Sequence, residues 1–178
     1  VKLDGGGSSQ CDFAGEQIIS SRKVQNYILV YLEKSEDKPM GDKKYKICLD
    51  PGHGPDTVNG SPDGSYKEQE FAWDMGQRIK PLLESQGLEV KLTRTKDNKP
   101  SLTERTGVSN DWGADVFVSL HSNAAGNGGW YDARGLSCIT SSGPESANRN
   151  KLARAILDRA QEAGVVLRSN EPSYDMSL

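Results

Sequence analysis

Short apolar runs alternate with segments of helical period along most of this chain, and that alternation constrains the fold more than any other feature. Tyr45 to Leu49 is an apolar run closed by Asp50-Pro51-Gly52, which predicts a buried strand and then a loop. From Glu70 to Gln86 the apolar positions Phe71, Met75, Ile79 and Leu82/Leu83 recur at helical spacing; Gly87 stops this helix and Pro81 is expected to kink it. Leu88, Val90 and Leu92 alternate with polar residues, as in a strand with one buried face. Ser101-Leu102-Thr103-Glu104 is a capping box that opens a second helix, which ends at Trp112-Gly113. Asp115 to Leu120 reads as the next strand and, beyond a Gly-rich loop from Gly126 to Gly129, Arg134 to Thr140 as another. Ala147 to Ala163 is a third helix, with Leu152, Ile156 and Ala160 on its apolar face and Gly164 at its end. Strands separated by helices predict an α/β fold, a mostly parallel twisted sheet with helices on both faces.

Upstream of this pattern the chain changes character. Asp4-Gly5-Gly6-Gly7-Ser8-Ser9 is a turn, followed by two short strands of which the second spans Val24 to Leu32. Glu33-Lys34-Ser35-Glu36-Asp37-Lys38-Pro39 is charged, aperiodic and proline-containing, and marks a linker that gives residues 34–43 to neither side. The charge balance excludes some partners. Twenty-two Lys and Arg against twenty-five Asp and Glu leave a net charge of -3 without a basic block, so neither nucleic acid nor an anionic membrane is expected. No run approaches the roughly 20 apolar residues of a membrane span. Cys11, Cys48 and Cys138 are far apart and form no C-x-x-C; Cys48, inside an apolar run, is expected to pack as a small buried residue. The chain begins with Val1, which leads to the expectation of a processed protein or a fragment.

The chain has two histidines, and both follow strands. His53 comes after the run ending at Leu49, and His121 directly after Leu120. Parallel sheets gather ligands at the carboxyl ends of their strands. Two imidazoles at that edge with a nearby carboxylate make the three-ligand zinc site with an open position that hydrolases use. Taken singly, each histidine is more often a hydrogen-bonding loop residue than a ligand, but two at equivalent strand ends with none elsewhere favour the ligand reading. Glu68 has its own competing role, because Ser65-Tyr66-Lys67-Glu68 matches a capping box; on spacing, capping and coordination are equally open.

Leu49-Asp50-Pro51-Gly52-His53-Gly54, then Lys67-Glu68, then Ser119-Leu120-His121-Ser122-Asn123-Ala124 resemble the three signatures of zinc-dependent N-acetylmuramoyl-L-alanine amidases. The stretch from Leu82 to Arg94 and that from Leu102 to Arg105 resemble the same family, so the likeness covers about residues 46–167. It implies one zinc ion held by His53, Glu68 and His121, with Glu68 preferred over its neighbour Glu70 because it directly follows Lys67. It also implies hydrolysis of the amide between N-acetylmuramic acid and L-alanine of peptidoglycan, at the cell wall or outside the cell, as in autolysins and phage lysins. Asn123, two residues past the ligand histidine, is a candidate for orienting substrate, against the blander role of a loop cap. Arg105 is expected to make a structural pairing.

The family's second functional carboxylate, a glutamate in a Val-Glu-x-Gly-Phe-like context that acts as general base, has no match after Gly164. Glu171, in Ser169-Asn170-Glu171-Pro172, sits in a turn, so the catalytic glutamate and the last strand are expected beyond Leu178. Residues 44–178 would then be an incomplete zinc amidase domain, and a silent peptidoglycan-binding module that keeps the zinc site is the alternative. Leu3 to Gln10 with Ser20 to Asn26 resembles the end of a phosphodiester glycosidase domain, so residues 1–33 are expected to be a remnant of one.

Overall fold

The structure is a computed structural model that describes residues 11–13, 16–18, 44–122, 129–130, 134–141, 144, 147–168 and 173–175. The expected turn at Asp4 to Ser9 and strand at Val24 to Leu32 lie outside the described residues. Between them, β1 (Cys11–Phe13) and β2 (Glu16–Ile18) pair antiparallel.

The alternation read from the sequence becomes a three-stranded parallel sheet. Strand β3 (Lys46–Pro51) is central, with β4 (Glu89–Leu92) on one side and β5 (Val116–Leu120) on the other. Ile47 stands opposite Val90 and Val116, and Leu49 opposite Leu92 and Val118. Pairing continues through Asp50 and Pro51, two residues past the expected end of the strand. Proline is tolerated there because it takes the last position of the ladder.

Helix α1 (Glu68–Ser85) covers one face of the sheet. It runs through Pro81 as one element. Leu49, Val90 and Leu120 from the strands close with Met75 and Ile79 from α1 into one cluster, each side chain contributing roughly 1.5–3 kcal/mol by leaving water. Helix α2 (Leu102–Trp112) serves the other face, where Ser109 hydrogen-bonds Cys48 and Arg105 pairs with Asp50. The expected capping box is complete: the Ser101 hydroxyl accepts from the Glu104 N–H and the Glu104 carboxylate accepts from the Ser101 N–H. Gly113 ends α2 at φ 67°, a conformation that costs a side-chain-bearing residue more than glycine. Cys48 is fully buried, as expected.

The distal part of the chain departs from expectation in two ways. The strand expected from Arg134 to Thr140 is only β6 (Ile139–Ser141), preceded by a single bridge between Leu136 and Leu167. It pairs parallel with β7 (Ser173–Asp175) in a separate two-stranded sheet. No strand was expected there, because Pro172 and a polar run conceal it. Helix α3 (Asn148–Glu162) buries Asn150, Ala153, Leu157 and Ala160, while Leu152 is exposed and Ile156 only partly covered. The buried stripe is thus turned by about one residue from the apolar one. Asn150 explains the shift. Its side chain accepts from Thr140 Oγ1 at 2.7 Å and donates to the Pro144 carbonyl at 2.9 Å, so a polar residue belongs to the buried face.

Leu157→Ala should therefore cost about 2–5 kcal/mol in urea unfolding. Leu152→Ala should stay within about 0.5 kcal/mol.

Candidate metal centre

The site begins with the end of β3. Asp50 is 5% exposed at the close of an apolar strand, and a carboxylate so placed must be paired. It accepts hydrogen bonds from Thr93 Oγ1, from Ser119 Oγ at 2.7 Å and from Arg105 Nη1 at 2.8 Å. Burial alone would raise its pKa, but these donors outweigh it and hold the carboxyl below its ordinary value.

Two buried arginines then fix the loop that carries His53. Arg105 donates to the carbonyls of Pro51 at 2.8 Å, of His53, and of Pro100 at 3.0 Å. Arg94 donates to Pro51 at 2.7 Å, to Gly52 at 3.1 Å and to Gln69, in the first turn of α1, at 2.8 Å. His53 is held at φ 57°, the left-handed region that non-glycine residues rarely enter.

Glu68 opens α1, and its competing role as a cap is not the one it plays. The N-cap is Lys67, whose extended backbone carries no side-chain cap bond. The Ser65 hydroxyl instead donates to Asp63 Oδ1 at 2.7 Å, and with Ser61 it draws the Asp63 carboxyl down to about 2. Glu68 turns inward. Its Oε2 lies 3.1 Å from His53 Nε2 and its Oε1 lies 3.0 Å from His121 Nδ1. The Ser122 N–H donates to the same Oε1 at 2.7 Å. Glu70, the rival, forms an exposed pair with Lys67.

His121 follows β5 directly, and Gly52 makes room for it. A Cβ on Gly52 would lie 2.4 Å from the His121 ring. The two imidazoles meet edge to face with centroids 4.7 Å apart. Tyr66 donates its hydroxyl hydrogen to Ser122 Oγ at 2.6 Å, which ties the loop before α1 to the end of β5.

The structure therefore brings His53, Glu68 and His121 together, with one ligand atom from each inside a 4.8 Å span. Among the described residues no other His, Cys, Asp or Glu joins a group of this kind. In a tetrahedral site with bonds near 2.0–2.1 Å, ligand atoms stand about 3.3 Å apart, so small side-chain shifts suffice for zinc. Desolvation lowers the pKa of His53 against the attraction of Glu68, which favours the neutral imidazole that binds metal. The donor set fits zinc with a further position open. Asn123 and Glu171 lie outside the described residues.

The three clustered residues were legible in the sequence, but what holds them was not. Arg94, Thr93, Ser119 and Tyr66 were given no role. A charged residue closing an apolar strand, as Asp50 does, was the available signal that a buried cation must lie nearby.

Asp50→Asn should cost roughly 3–5 kcal/mol by leaving Arg105 without its charge partner. The folded pKa of Asp50 lies below the unfolded one, so this contribution is present above the ordinary carboxylate pKa and disappears as pH falls through the folded value. Comparing both proteins by urea unfolding between neutral and strongly acid pH should show the gap closing on acidification. Gly52→Ala should displace the His121 ring and weaken zinc binding by about 10-fold or more, measured by competition with a chromophoric chelator.

The same three residues stand in a known sequence context. Bacillus licheniformis N-acetylmuramoyl-L-alanine amidase CwlM is 40% identical over 89 residues, 49% of this chain and 35% of that protein. The sporulation-specific N-acetylmuramoyl-L-alanine amidase of Bacillus subtilis (strain 168) is 36% identical over 87 residues, 48% of this chain and 34% of that protein. The chain thus spans about a third of the length of these curated relatives. The crystal structure of N-acetylmuramoyl-L-alanine amidase from Clostridium difficile 630 superposes with a TM-score of 0.62 at 26% identity, covering 68% of this chain and 66% of that one. A family model, Amidase_3, described as N-acetylmuramoyl-L-alanine amidase, matches residues 47–172. That match takes in most of the chain and all three clustered residues, and the chain belongs to the N-acetylmuramoyl-L-alanine amidase family.

Proposed function

We propose that this chain acts on peptidoglycan as a zinc-dependent amidase, hydrolysing the amide between the lactyl group of N-acetylmuramic acid and L-alanine. The observation that carries this reading is the convergence of His53, Glu68 and His121 from three different elements. Family membership supplies the substrate class.

His53 Nε2, a Glu68 carboxylate oxygen and a His121 ring nitrogen would hold the ion. When bound, zinc supplies a Lewis acid that polarises the scissile carbonyl and lowers the pKa of water from about 15.7 toward 7. The chain's own residues orient the ligands. The Ser122 N–H fixes the Glu68 carboxylate, and Tyr66 fixes the Ser122 side chain. Asn123 is the candidate for orienting the muropeptide. The work is expected at the cell wall, outside the membrane; among the described residues no helix is long and apolar enough to cross one.

Apart from Glu68, no described glutamate joins the cluster. Cleavage by these residues alone should therefore run about 10²–10⁴ slower than with a positioned base. A second reading is a wall-binding module that keeps the zinc site without turnover.

The test is metal analysis combined with a muropeptide-release assay. One zinc per chain is expected, with slow release of stem peptide that chelation abolishes and that Glu68→Ala lowers together with zinc content. A protein without zinc, in which His53→Ala changes nothing, would end the metal reading. Zinc bound at one per chain with muropeptide left intact would leave the wall-binding reading standing.

A further inference from the structure

We propose that Arg94 and Arg105 are positioning residues for the metal centre, a pair of guanidinium clamps that set where His53 and Glu68 stand relative to each other. The inference rests on the zinc reading above and goes beyond its ligands.

Neither arginine touches a ligand side chain in the contacts described; both act through backbone. Arg105 is 4% exposed, carries the carboxylate of Asp50 on Nη1, and reaches the His53 carbonyl with Nη2. It thereby holds the one ligand whose backbone is left-handed, at φ 57°. That bond ties down the carbonyl of a residue in a conformation that side-chain-bearing residues rarely adopt, and its loss would let the backbone relax toward negative φ and carry the imidazole away from Glu68. Arg94 is also 4% exposed, and its Nη2 bridges the carbonyls of Gly52 and Gln69. These residues immediately precede His53 and follow Glu68 in the chain. A single nitrogen therefore links the two ligand-bearing segments. Both guanidiniums also share the Pro51 carbonyl.

The planar fork is what the arrangement demands. Each arginine serves at least three acceptors in fixed directions, whereas a lysine ammonium can replace the charge but not the spread. Arg→Lys at either position therefore separates positioning from charge.

The experiment measures zinc affinity and the visible spectrum of the cobalt(II)-loaded protein for wild type, Arg94→Lys, Arg105→Lys and Ile79→Ala. Ile79 lies in the core cluster away from the loop, and its variant controls for lost stability. All are read where circular dichroism shows them folded. Zinc affinity is expected to fall about 10–100-fold in each arginine variant, with a changed cobalt spectrum, and to stay near wild type in Ile79→Ala. Where a lysine variant does not fold, an ester in place of the peptide bond after His53 weakens the carbonyl that Arg105 binds; the Gly54 N–H that it also removes donates none of the described backbone hydrogen bonds, and a several-fold loss of affinity is expected. Arginine variants or an ester protein with wild-type affinity and spectrum would overturn the proposal. So would an equal loss in Ile79→Ala. A wild-type protein that binds neither metal would instead bring down the zinc reading itself, and the proposal with it.

Discussion

Everything at this site depends on satisfying three consecutive carbonyls. Where β3 ends, the chain turns from the sheet into the loop that bears His53, and the Pro51, Gly52 and His53 oxygens need donors other than a strand partner. A buried carbonyl without a donor is costly, and water has little access here. Two guanidiniums supply the donors, one from the segment after β4 and one from α2. The charge of Arg105 must be offset in turn, and Asp50 near the end of the strand does so while accepting from Thr93 and Ser119. The strand end, the loop and both flanking segments thus form one hydrogen-bonded unit.

This dependence explains what the sequence could and could not disclose. Element type was legible wherever apolar period and caps agreed: the three parallel strands, the Ser101–Glu104 capping box and the burial of Cys48 all follow from local pattern. The two histidines were legible because strand ends are where such sheets gather ligands. Glu68 was ambiguous because capping and coordination ask for the same residue beside a helix start, and only the tertiary placement of Ser65 and Asp63 separates them. The buried face of α3 was misread because Asn150 carries its own partners, so polarity did not mean exposure. The strand β7 was missed because a three-residue pairing after a proline leaves almost no periodic trace. Arg94 was hidden for a related reason: its partners are backbone oxygens, which every residue type supplies, whereas the structural pairing expected of Arg105 is its bond to Asp50.

The division of labour among the three clustered residues is also physical. Glu68 comes from a helix start, where the unpaired N–H groups favour a carboxylate, and its second oxygen is engaged by both His121 and the Ser122 N–H. The carboxylate is therefore fixed in rotation as well as position. His53 is fixed through its backbone. His121 depends on the absence of a side chain at Gly52, against which its ring lies.

Exposure is distributed unevenly across the three: the Glu68 side chain is 7% exposed, His53 22% and His121 43%. The carboxylate is the floor of the centre and the His121 ring its outer lip. Solvent therefore reaches the cluster through His121 first and Glu68 last.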